Sequence, residues 1–101
     1  MVGRMDERTF SRYFKAFGDP TRLRILRLLA IKEMTVNEIV AAVRLSQSTV
    51  SRHLAILREA GIAVDRRDGQ KVYYSLKKKA VENCCVCFCD RLEISKPRKK
   101  K

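Results

Sequence analysis

Residues Ser46 to Gly61 read S-Q-S-T-V-S-R-H-L-A-I-L-R-E-A-G. The stretch predicts one amphipathic helix, with Ser46 as N-cap and Gly61 at a left-handed stop. At about 100° per residue, Leu54 and Leu57 fall within ~40° of Val50, so the three form one buried stripe. Ser48, Ser51, Arg52 and Ala55 lie roughly 100–200° round from it. That second face is small, hydroxyl-bearing and basic. It suits the DNA major groove, which bulky apolar side chains would block and which repels acids. Glu59 shares the angle but lies nearly two turns further on, where it can point clear of a duplex. An ordinary solvated helix can carry the same residues, so the flanking sequence has to decide.

Upstream, Thr35-Val36-Asn37-Glu38 matches a capping box, which predicts a short helix from Val36. Ile39, Val40 and Val43 supply its buried side. A brief turn at Arg44-Leu45 then leads to Ser46. Short helix, tight turn and second helix is helix-turn-helix spacing, with the second helix as reader.

Downstream the period changes to two. Residues 62–67 (I-A-V-D-R-R) and 71–76 (K-V-Y-Y-S-L) read as strands, with Asp68-Gly69 as the hairpin turn. The tip carries Arg66, Arg67, Gln70 and Lys71. A basic hairpin after a reading helix can serve as a wing on the flanking backbone or minor groove. A charged hairpin tip with no such role is the plainer alternative.

Further out, Asp19-Pro20 opens a helix with an N-cap and a first-turn proline. It runs to about Ile31 and carries Leu23, Ile25, Leu26, Leu28 and Leu29 as a central apolar segment. Arg22, Arg24 and Arg27 read as solvated, or as weak phosphate contacts. Residues 6–17 form a first helix, closed by Gly18. Its stripe of Phe10, Phe14 and Phe17, with Tyr13 beside it, either packs on the chain's own core or forms a subunit interface. A last helix spans Lys77 to about Ile94, with Val81, Cys85, Phe88 and Leu92 on one stripe. Two terminal helices with apolar faces suggest pairing between subunits.

The fold class is therefore mainly α with a small β-hairpin: four helices, two strands and a fifth helix, as a winged helix-turn-helix. Residues 1–94 read as a single DNA-binding and dimerisation domain. Ser95 to Lys101, S-K-P-R-K-K-K, reads as a basic disordered tail adding non-specific phosphate attraction.

The chain of 101 residues carries 23 Lys and Arg against 11 Asp and Glu, a net charge of +12. Such an excess points to a polyanionic partner, nucleic acid first and an anionic membrane surface second. No apolar run approaches the ~20 residues of a membrane span. The start, M-V-G-R-M-D-E-R, lacks the apolar core of a secretory signal. The expected location is cytoplasmic, where cysteines are ligands or reactive thiols rather than bridges. Enzyme chemistry is not expected. No C-x-x-C lies on a strand–helix junction, the chain has a single histidine, and no acid pair is placed for proton transfer.

All four cysteines fall in one window, Cys84-Cys85-Val86-Cys87-Phe88-Cys89. On a helix Cys84 and Cys87 are i, i+3, and Cys85 and Cys89 are i, i+4, so each pair shares a side. Soft thiolates favour Zn, Cu(I), Cd and Pb, and by the same softness trivalent arsenic or antimony. A site of three or four thiolates would require local unwinding, or donors from a partner chain. Two alternatives remain open. The thiols can act as a redox sensor, activated by Lys77–Lys79 and Arg91. Or they simply pack as small apolar residues. No organic cofactor is expected.

With these elements in place, the chain resembles the ArsR/SmtB family of small winged-helix repressors. The resemblance is carried by F-G-D-P-T-R-L-R-I-L-R-L-L (17–29), L-S-Q-S-T-V-S-R-H-L-A-I-L-R-E-A-G-I (45–62) and R-R-D-G-Q-K-V-Y-Y-S-L (66–76), most of residues 10–76. It implies a homodimer through the first and last helices, a palindromic double-stranded operator, and repression lifted by an inducer. Carried over, Ser46, Gln47, Ser48, Thr49, Ser51 and Arg52 would read or grip the DNA, with Arg66, Arg67, Gln70 and Lys71 on its flank. His53 borders the apolar stripe, where a hydrogen bond at the core edge and a phosphate contact are both open. Metal ligation by this lone histidine is not expected. Arsenic-sensing relatives often carry a C-x-C pair before the reading helix; here V-N-E-I-V-A-A-V has none. Zinc-sensing relatives use Asp, His and Glu on the last helix, which here has no histidine. A thiolate site on the last helix remains, built from Cys84, Cys85, Cys87 and Cys89. Arsenite or antimonite is its foremost ligand. A non-sensing architectural DNA protein is the other reading of the fold. It would bind all duplexes alike, where a repressor prefers one site by ~10³-fold or more.

Overall fold

The computed structural model describes residues 5–94; residues 1–4 and the tail expected over 95–101 lie outside the described residues. Helix α1 is Glu7–Phe17, α2 is Pro20–Ile31, α3 is Val36–Val43, α4 is Gln47–Glu59 and α5 is Lys78–Arg91. Strand β1 is Met34–Thr35, β2 is Ala63–Asp68 and β3 is Lys71–Leu76. The strands form one antiparallel sheet in the order β1-β3-β2.

The helix starts follow from local chemistry. The Asp6 carboxylate accepts the Thr9 N–H at 2.9 Å, and that of Asp19 accepts the Arg22 N–H at 3.1 Å. Thr35 and Glu38 close both halves of a capping box on α3. These side chains satisfy donors that the first helical turn leaves without partners. The end of α4 is equally local. Gly61 takes φ 78°, its N–H donates to Arg58 O, and the Ile62 N–H donates to Leu57 O. This Schellman arrangement buries Ile62 against the core as the chain enters β2.

The main core joins Ile25, Leu26 and Leu29 of α2, Ile39 and Val43 of α3, and Val50, Leu54 and Leu57 of α4, with Met34 and Ile62. Val50, Leu54 and Leu57 are fully buried, as their spacing predicts. Each such side chain contributes roughly 1.5–3 kcal/mol through burial. Their removal from water also fixes which side of α4 faces out.

Several expectations shift. The turn is Gly69-Gln70, one residue later than Asp68-Gly69, because Asp68 pairs with Lys71 in the ladder. Positive φ falls on Gly69 and not on Gln70, as in a type II′ turn. A strand not anticipated, β1, pairs Met34 with Tyr74 and Thr35 with Tyr73. Leu23, grouped with the central leucines, is 46% exposed. It projects roughly 160° away from Ile25 on the helix circle. Helix α5 stops at Arg91, short of Ile94. Glu93 adopts φ 55° there, and the Glu93 and Ile94 N–H groups donate back to Asp90 O and Cys89 O.

A second, smaller cluster lies between α1 and α5. It buries Phe10, Cys84 and Cys87, with Met5, Tyr13, Phe17 and Phe88 packed on it. The Phe88 ring stands edge-on to Phe10 at 5.5 Å and to Phe14 at 4.7 Å. Arg91 covers the Phe10 ring and donates to Met5 O at 2.8 Å. The aromatic stripe of α1 thus packs first on its own chain. Phe14, Leu92 and Ile94 nevertheless stay exposed.

Candidate nucleic-acid interface and thiol cluster

The buried stripe of α4 aims its opposite side outward. Ser46, Gln47, Ser48, Ser51 and Arg52 are exposed, and Thr49 and Ala55 are half-buried. Ser46 is committed to the helix start: its Oγ accepts the Thr49 N–H at 3.2 Å and donates to Thr49 Oγ1 at 2.8 Å. Its Oγ also lies 3.3 Å from Ser48 Oγ. Among the described residues Gln47, Ser51 and Arg52 have no side-chain partner. They are the groups left to meet an external acceptor or donor. From Ser46 to Arg58 the helix carries no acid, and Glu59 is exposed beyond it. The result is a narrow polar face with one strong cation at its middle.

The wing adds charge beside it. Arg67, Gln70 and Lys71 are exposed. Arg66 differs. Its guanidinium is held by Glu33 at 2.6 Å, lies 3.8 Å from Asp68, and covers the Tyr73 ring at 4.8 Å. Glu33 raises its pKa further, so Arg66 stays charged but is already paired. It braces the middle of the hairpin, while Arg67 and Lys71, without a side-chain partner among the described residues, supply the free charge near the tip.

His53 is turned away from the groove side. Its side chain is only 16% exposed, and Nδ1 lies 3.1 Å from Arg22 Nη1. Arg22 was expected in solvent or on phosphate. Instead its Nε donates to Ala16 O at 2.8 Å and its Nη2 to Lys15 O at 3.1 Å. The signal was in the sequence. At the Gly18-Asp19-Pro20 corner Pro20 brings no N–H to the carbonyls that end α1, and Arg22 follows within one turn.

The cysteine window forms one face and a half rather than a cluster. Cys84 and Cys87 are buried against α1, Cys85 is exposed, and Cys89 is half-buried. None forms a disulfide. The buried face of α5 is Ala80, Cys84 and Cys87, and the expected stripe divides: Val81 and Phe88 pack on the chain's own clusters, while Cys85 and Leu92 face outward. Helical spacing admits both stripes, and α1 selects one. Burial pushes the Cys84 thiol up to about 11, with Cys85 and Cys87 nearby adding to the rise. Among the described residues no group of three or more His, Cys, Asp and Glu is arranged to hold a metal ion. Soft donors are present, but a single chain offers them in pairs.

Residues 19–64 match the family model described as "Bacterial regulatory protein, arsR family". The transcriptional repressor SdpR of Bacillus subtilis is 41% identical over 70 residues, covering 69% of this chain and 78% of that protein. The chain belongs to the arsR family. A second arsR-family relative, the arsenic resistance transcriptional regulator ArsR1 of Pseudomonas putida, is 55% identical over 64 residues. That match covers 62% of this chain, which spans 50% of the P. putida protein's length. Among solved structures, HlyU from Vibrio cholerae superposes with a TM-score of 0.70 at 33% identity, covering 87% of this chain and 97% of that one. The two curated relatives are named as a transcriptional regulator and a transcriptional repressor, and HlyU shares the winged helix-turn-helix fold. Among the described residues no helix is long and apolar enough to cross a membrane.

Proposed function

We propose that this chain is a sequence-specific DNA-binding repressor that acts as a homodimer on a palindromic operator. The observation that carries the reading is the outward face of α4, where, among the described residues, Gln47, Ser51 and Arg52 stand without side-chain partners beside the exposed Arg67 and Lys71 of the wing. In a dimer through α1 and α5, two such helices about 34–36 Å apart would meet successive major grooves. The exposed Phe14, Leu92 and Ile94 support that seam, since they lie on or just beyond the two terminal helices.

The inducer is a thiophilic metal or metalloid ion, arsenite or antimonite first, taken by the α5 cysteines. The soft donor set and the arsenic resistance regulator among the relatives support this. Cys85 and Cys89 are open to capture it. Cys84 and Cys87 can join only if α5 is released from α1 or unwinds, because they pack with Phe10. Recruiting the inner thiols would therefore disturb the same aromatic cluster that orients the proposed seam. Coupling of roughly 1–3 kcal/mol between the two sites would suffice for regulation.

The test has two arms. Wild-type protein selects a duplex from a random pool, and binding to it is compared with binding to scrambled DNA. Reduced protein is then titrated with arsenite, cadmium, zinc and copper(I) by absorbance, with and without that duplex. Equal binding to all duplexes would favour an architectural role. Release by peroxide, with no response to any ion, would favour redox sensing.

A further inference from the structure

The structure holds a hydrogen-bonded bracket that joins three helices at one side chain. Arg22, in the first turn of α2, donates to the carbonyls of Lys15 and Ala16 at the end of α1. The same guanidinium reaches across to His53 Nδ1 on α4 at 3.1 Å. Asp19 anchors the base of the bracket by accepting the Arg22 N–H, and its carboxylate lies 3.9 Å from His53 Nδ1. Among the described residues only the guanidinium is within hydrogen-bond distance of Nδ1, and a guanidinium can only donate. Nδ1 therefore accepts, and His53 is held as the tautomer with its proton on Nε2. The planar fork of Arg22 spends its donors on two fixed carbonyls and one ring nitrogen, which leaves little freedom to any of the three helices.

We propose that His53 is a positioning residue for DNA reading, through which Arg22 sets the orientation of α4 relative to α1. The proposal rests on the DNA-binding reading given above. Arg52 and His53 are adjacent in sequence and project about 100° apart. One therefore faces out while the other is held by the α1–α2 corner. A rotation of α4 that loosened His53 would swing Arg52 off its target. Because α1 is a proposed seam element, the bracket is also a direct mechanical link from seam to reader that bypasses α5.

The test separates positioning from direct contact. Asn at 53 places an acceptor near the Nδ1 position, whereas Gln places its polar atoms near Nε2. Binding to the duplex selected by wild type is measured by anisotropy at fixed salt, alongside thermal melts. His53→Asn is expected to bind within about threefold of wild type. His53→Ala and His53→Gln are expected to lose roughly tenfold, the size of one hydrogen bond to a charged partner. The reverse order, Gln rescuing and Asn failing, would mean a phosphate contact through Nε2 and would overturn the proposal. So would unchanged binding by the Ala variant. His53 is the only histidine in the chain, so its ring nitrogens give one unambiguous set of NMR signals in unmodified protein. Protonation at Nδ1 of the neutral ring would also overturn it, whatever the variants do. If wild-type protein selects no duplex, the DNA-binding reading fails while the tautomer measurement still decides the bracket.

Discussion

Replacing Arg52 with alanine isolates reading from folding. Arg52 is exposed and, among the described residues, takes part in no hydrogen bond or ion pair. Alanine is a better helix former than arginine by a small margin. The fold should therefore change by no more than about 0.5 kcal/mol, a melting shift of roughly 2–4 °C for a domain of this size. If each Arg52 meets a base edge, each loss costs about 1–3 kcal/mol of operator binding. A symmetric dimer loses two, so the total approaches roughly 2–6 kcal/mol where the sites act independently. The salt dependence separates the kinds of contact. A purely phosphate role would flatten the slope of log K against log salt by about 0.9 per contact, near 1.8 for the dimer, and weaken all duplexes alike. Anisotropy titrations on selected and scrambled duplexes at three salt concentrations, with melts of both proteins, read all of these. Operator affinity within twofold of wild type, with an unchanged slope and an unchanged melt, would refute the assignment of this face of α4 as the reader.

Converting Cys85 and Cys89 together to serine should leave DNA binding intact and abolish release by the inducer; release that survives in a gel-shift assay would remove the thiolates from sensing. In reduced protein treated with iodoacetamide at pH 8, mass mapping should find Cys84 alkylated last, since burial against Phe10 holds its thiol near 11; modification of Cys84 as fast as Cys85 would contradict that packing. The carboxyls of Asp6 and Asp19 are held below their ordinary 3.8, each chiefly by the backbone N–H it caps. Depressed folded-state values contribute stability above the unfolded value and lose it as pH falls through the folded one, so melting temperature should drop below about pH 4. Asp19→Asn, which keeps a capping oxygen, should shrink that drop. Arg44 ends α3 at φ 61° with its N–H on Val40 O, a left-handed conformation that costs an L-residue about 1 kcal/mol. Arg44→Gly should leave stability unchanged or raise it slightly, and a clear fall in melting temperature would mean that the Arg44 side chain stabilises the turn.

The helix-turn-helix was legible because its boundaries are written in local chemistry. Ser46, Thr35 with Glu38, and Asp19 each satisfy donors only a few residues away, and Pro20 brings no donor to satisfy. The apolar stripe of Val50, Leu54 and Leu57 then left α4 one outward face. What escaped the reading depends on distant partners. Strand β1 is two residues long and exists through Tyr73 and Tyr74, far along the chain. Arg22 and His53 are separated by 31 positions and meet only once α1, α2 and α4 pack. Arg66 looked like one of several equivalent wing cations until Glu33 came beside it. In α5, two overlapping stripes fit the same period. The choice between Cys84 with Cys87 and Cys85 with Leu92 waits on what α1 presents.

Thr35 belongs at once to the sheet, opposite Tyr73, and to the capping box that starts α3. The hairpin and the first arm of the reading motif are thus welded at a shared residue, with no joint between them. In the proposed dimer, a change at the α5 sulfurs would therefore carry the wing and α3 together, as one tilts a whole key rather than filing its teeth.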